Sequence, residues 1–141
     1  MMKLTDIYKA IPTSTCPSNC GECCGMVYPS LAEITNIKTW LKLHHREYTD
    51  FNQTEGLDCP YLKTDKSCSI YPVRPYLCRI MGVSSDWRLD CPKHQCISKA
   101  KLNYSQTSYL YKQVYLHGKE TQRTEKHRVL VNKLFKEAGI I

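Results

Sequence analysis

Apolar residues recur at helical spacing along most of the chain, and this spacing predicts a mainly helical protein. A first short helix spans residues 2–11, and its apolar face consists of Leu4, Ile7, Tyr8 and Ile11. A second helix begins after Ser30, because Ser30 and Glu33 fit a capping box in which each side chain accepts from the other's backbone N–H. This helix is expected to run to about Glu47. Its inward face is predicted to consist of Leu31, Ile34, Ile37 and Leu41, with Trp40 beside them.

The middle of the chain carries a different pattern. Residues 59–62 and 68–71 are two short strand-like segments separated by polar turn residues, and they predict a β-hairpin. Pro75 then suits the first turn of a brief helix over 76–81, with Gly82 as its C-terminal stop. The pattern therefore predicts the α+β class, as a small, mainly α-helical domain with one short β-hairpin.

The C-terminal part of the chain is helical in pattern and basic in composition. From about Asn103 two helices are predicted, the second over about 121–137. The inward face of the first is expected to consist of Tyr104, Leu110, Tyr111, Val114 and Tyr115. Residues 1–98 carry 11 Lys and Arg against 10 Asp and Glu, whereas residues 99–141 carry 9 against 3. The net charge of +7 therefore belongs mainly to this basic C-terminal segment.

Length and composition indicate the type of protein. A chain of 141 residues with 42% hydrophobic residues suits one domain with a modest core, so residues 1–141 are predicted to form a single domain. The segment MMKLTDIYKAIP lacks the uninterrupted apolar run of a secretory signal. No stretch approaches the roughly 18 apolar residues of a membrane span. We therefore expect a cytoplasmic protein without a membrane partner, in which thiols stay reduced.

Nine cysteines constrain the function more than any other feature of the composition. Four lie in the segment CPSNCGECCG at 16–25, and the other five are Cys59, Cys68, Cys78, Cys91 and Cys96. Clustered thiols serve disulfides, a metal or iron–sulfur site, or nucleophilic catalysis. A reducing compartment and an odd cysteine count disfavour disulfides, and nothing marks one cysteine as a nucleophile. Metal ligation is therefore favoured, with His94 as a histidine candidate whose alternative is an exposed loop residue.

The spacing inside the first cluster leaves its coordination open. Segments of the type C-x2-C and C-x3-C can bring two thiolates to one metal, and Cys16, Cys20 and Cys23 provide both spacings. Cys24 directly follows Cys23, and the side chains of neighbouring residues usually diverge, so both rarely bind one tetrahedral ion. Either one ligates and the other packs as a small apolar residue, or the two serve two centres or a multi-iron cluster.

The motifs CPSNCGECCG, CPYL and CSIYPVRPYLCR, followed by Cys91, resemble the cysteine-cluster (CxxCxxCC-type) family of zinc- or iron-chelating domains. The resemblance covers about residues 16–91, and we place the metal-binding core at 16–96. It implies a cofactor of zinc, iron or an iron–sulfur cluster. The thiols that it implies as metal ligands are Cys16, Cys20, Cys23, Cys24, Cys59, Cys68, Cys78 and Cys91. Cys96 and the segment 99–141 lie outside the motif.

Two arginines flank one of these cysteines. Arg74 and Arg79 lie on either side of Cys78 in the sequence. Their positive charge is expected to stabilise thiolates or a net-negative metal–sulfur cofactor, and to hold an anionic partner nearby. The alternative is that they bond backbone carbonyls or surface carboxylates.

The sequence thus predicts an α+β domain organised around a cysteine-ligated metal site, whose metal–thiolate bonds stabilise short elements. The first alternative is an iron or iron–sulfur redox or group-transfer enzyme with an open coordination position that faces a pocket. Similar domains occur in a flagellin lysine N-methylase, and this resemblance raises the possibility of cluster-linked methyl transfer. No glycine-rich nucleotide fingerprint follows a predicted strand, which disfavours a methyltransferase. The second alternative is a module that binds nucleic acid or a protein through residues 99–141. An ordinary solvated, lysine-rich face would explain the same charges.

Overall fold

The computed structural model describes the chain in several stretches, namely residues 2–16, 20–21, 24–25, 27–51, 59–91, 98 and 100–115. The α-helices within these stretches are α1 (Leu4–Ala10), α2 (Leu31–Leu43), α3 (Tyr76–Ile80) and α4 (Tyr104–Tyr115). Short 3₁₀ helices at Tyr71–Val73 and Trp87–Leu89 precede and follow α3. None of the helices in these stretches is both long enough and apolar enough to cross a membrane.

Buried apolar side chains form two clusters, and Leu77 of α3 packs against both. The first cluster joins α1, α3 and α4, and its largest fully buried members are Ile7, Tyr76, Ile80 and Tyr111. The second joins α2 to the chain around residues 59–73, and its members include Ile37, Leu41, Phe51, Tyr61 and Ile70. The cysteines that pack against the second cluster are Cys59, Cys68 and Cys78. These three thiols therefore lie directly against the second apolar cluster.

The ends of α2 show why local sequence sets its length. The predicted capping box is confirmed, since Glu33 N–H donates to Ser30 Oγ at 3.2 Å and Ser30 N–H donates to Glu33 Oε1 at 3.1 Å. The helix ends at Leu43, earlier than the predicted Glu47. His45 takes a left-handed φ of 53°, and Arg46 N–H donates to Leu41 O at 2.8 Å, as in a Schellman motif.

The helical faces were predicted well except near the helix starts. On α2, Ile37 and Leu41 are buried as predicted, but Leu31 is 45% exposed. On α4, the predicted face is buried except for Tyr104, which is 46% exposed. In both helices the exposed residue is the first residue of the helix. The second predicted C-terminal helix, over about 121–137, lies outside the described residues.

The predicted β-hairpin is wrong, because the described stretches contain no β-strand. Where the hairpin was expected, one antiparallel bridge joins Leu62 and Cys68. Before the bridge, Leu62 N–H donates back to Cys59 O at 3.1 Å, which closes a turn. After it, the chain enters the 3₁₀ helix at Tyr71–Val73. Pairing stops after one bridge because the chain turns on both sides of it, and on the C-terminal side Tyr71 N–H donates back to Cys68 O at 3.4 Å.

Candidate metal centre

The first cysteine segment lies against the turn that leads to Cys68. Gly21 N–H donates to Lys66 O at 3.2 Å. A Cβ on Gly21 would lie 2.9 Å from Leu62 Cδ1, so a residue without a side chain permits this close approach. Cys20 directly precedes Gly21, and Cys24 N–H donates to Gly21 O at 3.1 Å, so the contact brings both cysteines next to the turn.

Seven of the eight predicted metal ligands line a single cavity of about 70 Å³. Cys16, Cys20 and Cys24 belong to the first cysteine segment, and Cys59 and Cys68 lie at the two ends of the turn that follows. Cys78 lies on α3, and Cys91 follows the second 3₁₀ helix. Cys23, the eighth, lies outside the described residues, as do His94 and Cys96. The fold therefore gathers thiols that the sequence separates by up to 75 positions, from Cys16 to Cys91.

The seven thiols differ from ordinary core cysteines in their exposure. Cys91 is buried, with 6% exposure, but the other six are only partly buried. None of the seven forms a disulfide. Burial raises the pKa of the Cys59 thiol, and the neighbouring Cys68 raises it further, while backbone N–H groups of Tyr61 and Leu62 oppose the rise. A metal that binds Cys59 must therefore displace its proton.

The prediction of a fold organised around a metal site needs correction. Within the described residues, no three Cys, His, Asp or Glu side chains form a group that could hold a metal ion. The thiols share a cavity wall without converging on one point. The described elements are instead held by the two apolar clusters and by buried hydrogen bonds. Thiolate sulfur nevertheless suits zinc, iron and iron–sulfur clusters, so the chemistry of the donor set fits such a group.

Arg74 and Arg79 line the same cavity as the thiols, and both also bond carbonyls. Arg79 donates from Nε to Arg74 O at 2.8 Å and from a terminal nitrogen to Pro72 O at 2.9 Å. Its guanidinium lies 3.8 Å from the centre of the Tyr8 ring. Arg74 donates to Tyr71 O at 2.9 Å and lies over the Tyr71 ring. These contacts hold both cations in place on the cavity wall.

All charged side chains in the described lining of the cavity are positive. Lys66 joins the two arginines in the lining, and no Asp or Glu contributes to the described part of it. Burial and the charge of Arg74 lower the pKa of Arg79, but an arginine stays protonated at neutral pH. The described wall thus offers thiols and cations together, which suits a negatively charged centre.

A family model described as "CxxCxxCC: Putative zinc- or iron-chelating domain" matches residues 15–97, more than half of the chain. The chain belongs to the CxxCxxCC family. The match spans all the thiols of the cavity in this CxxCxxCC domain and leaves α4 outside. Comparison with curated proteins and with solved structures finds no match.

The CxxCxxCC domain also has a buried carboxylate beside the arginine side of the cavity. Glu33 is fully buried and accepts three hydrogen bonds. The Tyr8 hydroxyl donates to Glu33 Oε2 at 2.6 Å, Tyr76 N–H donates to the same oxygen, and Ser30 N–H donates to Oε1. Glu33 thus connects α1, α2 and the start of α3, the helix that carries Cys78 and Arg79.

Sequence reasoning identified Glu33 only as a capping residue. Its two other partners lie 25 and 43 residues away, so no local motif indicates them. Burial raises the pKa of Glu33, while its hydrogen bonds and the charge of Arg79 oppose the rise. Burial and Glu33 also raise the pKa of Tyr8, so its hydroxyl stays protonated and able to donate.

Proposed function

We propose that this chain binds zinc or iron, as an ion or as an iron–sulfur cluster, through thiols of the cavity. The observation that carries the proposal is the position of seven predicted ligands on one cavity wall. The ligand set proposed is the one implied by the family motif, which includes Cys23. The bound metal would supply thiolate bonds that join separate segments of the chain, adding free energy of folding to short elements.

The chain's own residues prepare this cavity. The Gly21 to Lys66 hydrogen bond docks the first cysteine segment on the turn, and Glu33 fixes the start of α3 through Tyr76. Arg74 and Arg79 are proposed to offset the negative charge of bound thiolates from outside the coordination shell. Their carbonyl bonds and ring contacts support this role, because the guanidinium groups are held at the wall.

The test is thermal unfolding before and after removal of metal, under reducing and anaerobic conditions. Chelation is expected to lower the melting temperature, and Cys20→Ser is expected to do the same without a chelator. Cys96→Ser, outside the ligand set, is the matched control and should melt like the wild type. A melting curve that chelation leaves unchanged would contradict the proposal.

The role of the arginines has its own test. Arg79→Gln is expected to weaken zinc binding about tenfold, because loss of a partner outside the coordination shell typically lowers metal affinity about 10–100-fold. Lys112→Gln on α4 is the matched control, because Lys112 is exposed and does not line the cavity. Competition titration against a chromophoric zinc chelator measures both affinities. Equal affinities in the two variants would refute the role.

A redox or group-transfer enzyme is the second candidate function. The observation in its favour is that six of the seven described thiols are partly exposed, so a small substrate could approach a bound metal. An iron–sulfur cluster would give brown protein with broad visible absorption, and zinc would give colourless protein. Cytoplasmic localisation and a protein or nucleic-acid partner for residues 99–141 stay predictions. Most of that segment lies outside the described residues.

A further inference from the structure

We propose that Tyr8 is a positioning residue of the metal centre, which holds the Arg79 guanidinium beside the thiols of the cavity. Because this role concerns the same site, it rests on the proposed function. Tyr8 belongs to α1 and precedes residues 15–97, the part of the chain that the family model matches. A residue outside the CxxCxxCC domain thus adjusts the affinity of that domain for metal.

Tyr8 contacts Arg79 through the face of its ring. The central carbon of the guanidinium lies over the ring, 3.8 Å from its centre. A cation at this distance is attracted by the negative face of the ring, and the attraction is stronger where water is excluded. Both side chains are partly buried, and Arg79 lines the cavity whereas Tyr8 does not. Tyr8 therefore acts on the metal centre through Arg79.

Two hydrogen bonds fix one edge of the same guanidinium. Its Nε donates to Arg74 O at 2.8 Å, and a terminal nitrogen donates to Pro72 O at 2.9 Å. These bonds hold the edge of the planar group, and the Tyr8 ring covers one of its faces. The two kinds of contact together restrict a long side chain that would otherwise sample many rotamers. The charge of Arg79 is thereby kept at the cavity wall.

The Tyr8 ring is itself held at both ends. Its backbone belongs to α1, where the neighbouring Ile7 is fully buried in the first apolar cluster. Its hydroxyl donates to Glu33 Oε2 at 2.6 Å, and Glu33 is fully buried. A functional group is positioned accurately when the residue that supports it is itself locked by packing and hydrogen bonds. The Tyr8 ring meets this requirement as a support for the guanidinium.

The experiment measures the zinc affinity of the full-length chain by competition titration against a chromophoric chelator. Tyr8→Leu keeps an apolar side chain but removes the ring, and it is expected to weaken zinc binding about three- to tenfold. Tyr8→Met removes the ring as well and fills the space with a flexible side chain, so it gives the same test if Tyr8→Leu does not fold. Tyr109→Leu is the matched control, because Tyr109 is an exposed tyrosine of α4 that does not line the cavity.

Two further variants separate positioning from general stability. Tyr8→Phe keeps the ring and should bind zinc about as tightly as the wild type, although loss of the hydrogen bond to Glu33 lowers its melting temperature. If Tyr8 acts through Arg79, the double variant Tyr8→Leu/Arg79→Gln should bind zinc like Arg79→Gln alone. Two losses of affinity that multiply in the double variant would overturn the inference.

The remaining outcomes distinguish this inference from the proposed function. If the wild type binds zinc and the ring-deleted variants bind it equally tightly, the positioning role of Tyr8 is overturned and metal binding stands. The same conclusion holds if Tyr8→Phe loses as much affinity as Tyr8→Leu, since affinity would then follow stability and not the ring. A folded wild-type chain that binds no zinc and no iron would overturn both proposals.

Discussion

Replacement of Glu33 by alanine is expected to destabilise the protein strongly. The variant removes an acceptor that serves three donors from three parts of the fold. Two of them, the backbone N–H groups of Ser30 and Tyr76, are buried, and the third is the Tyr8 hydroxyl. The alanine side chain offers no acceptor to any of these three donors.

The magnitude follows from these contacts. Each buried donor left without a partner costs about 1–3 kcal/mol, so the two backbone groups together cost about 2–6 kcal/mol. Removal of a desolvated carboxylate returns part of this, as the raised pKa of Glu33 indicates. We therefore expect a net loss of about 2–4 kcal/mol. For a chain of 141 residues that corresponds to a fall in melting temperature of roughly 7–14 °C.

The assay is thermal unfolding followed by circular dichroism at 222 nm, with all variants at the same metal content. Glu47→Ala is the matched control, because Glu47 is exposed and the same atoms are removed. Glu33→Gln should fall between the wild type and Glu33→Ala, since its amide keeps one acceptor oxygen. A Glu33→Ala protein that melts within about 2 °C of Glu47→Ala would show that the three hydrogen bonds of Glu33 contribute little to stability.

Two further predictions concern buried polar groups. Thr107→Val is expected to lower the free energy of unfolding by about 1–2 kcal/mol, because it removes the buried hydroxyl that lies 2.8 Å from Ser84 Oγ. Urea unfolding measures this loss, and equal urea midpoints for Thr107→Val and Thr107→Ser would contradict the prediction. Burial raises the pKa of Glu33 above 4.5, so between pH 4.5 and the folded-state pKa the folded protein keeps a proton on Glu33 that the unfolded chain has lost. The contribution of this protonated carboxyl group to stability is full below pH 4.5 and declines as the pH rises through the folded-state pKa. The stability difference between wild type and Glu33→Gln should therefore narrow as the pH of the melts is raised, and a difference that widens would be incompatible with the raised pKa.

Helix boundaries could be predicted where a short motif determines them. The Ser30 and Glu33 capping box and the start of α4 at Asn103 depend on residues three positions apart, and both are present in the structure. Gly82 follows α3 with a positive φ of 79°, as expected of a glycine that stops a helix. These features follow from the sequence because every partner is local.

The predictions that failed depend on backbone hydrogen bonds that the residue types do not specify. The hairpin was expected from two short apolar segments, but turns replace extended pairing on both sides of the bridge, where Leu62 N–H donates to Cys59 O and Tyr71 N–H donates to Cys68 O. The central position of Glu33 depends on Tyr8 and Tyr76, which belong to other helices. Sequence patterns indicate which residues are apolar or charged, but they do not indicate which distant backbone groups will need an acceptor.

For the candidate site too, the sequence indicated which residues take part but not how they are arranged. Cysteine spacing and the family motif identified the eight thiols, and seven of them line one cavity. Neither the spacing nor the motif indicated that Lys66 would join Arg74 and Arg79 in the wall, because that contact follows from the docking of the first cluster on the turn. The residue types were thus predictable, and their arrangement depended on the tertiary fold.

The most direct test of metal chelation is the metal content of the full-length chain. Protein expressed without an affinity tag that binds metals, and purified without oxygen, is passed through gel filtration and analysed for zinc and iron. We expect at least one zinc or iron atom per chain that co-elutes with the protein, and a clear loss of metal in Cys59→Ser but not in Cys96→Ser. Protein that is folded and contains less than about a tenth of an atom of either metal per chain would contradict it.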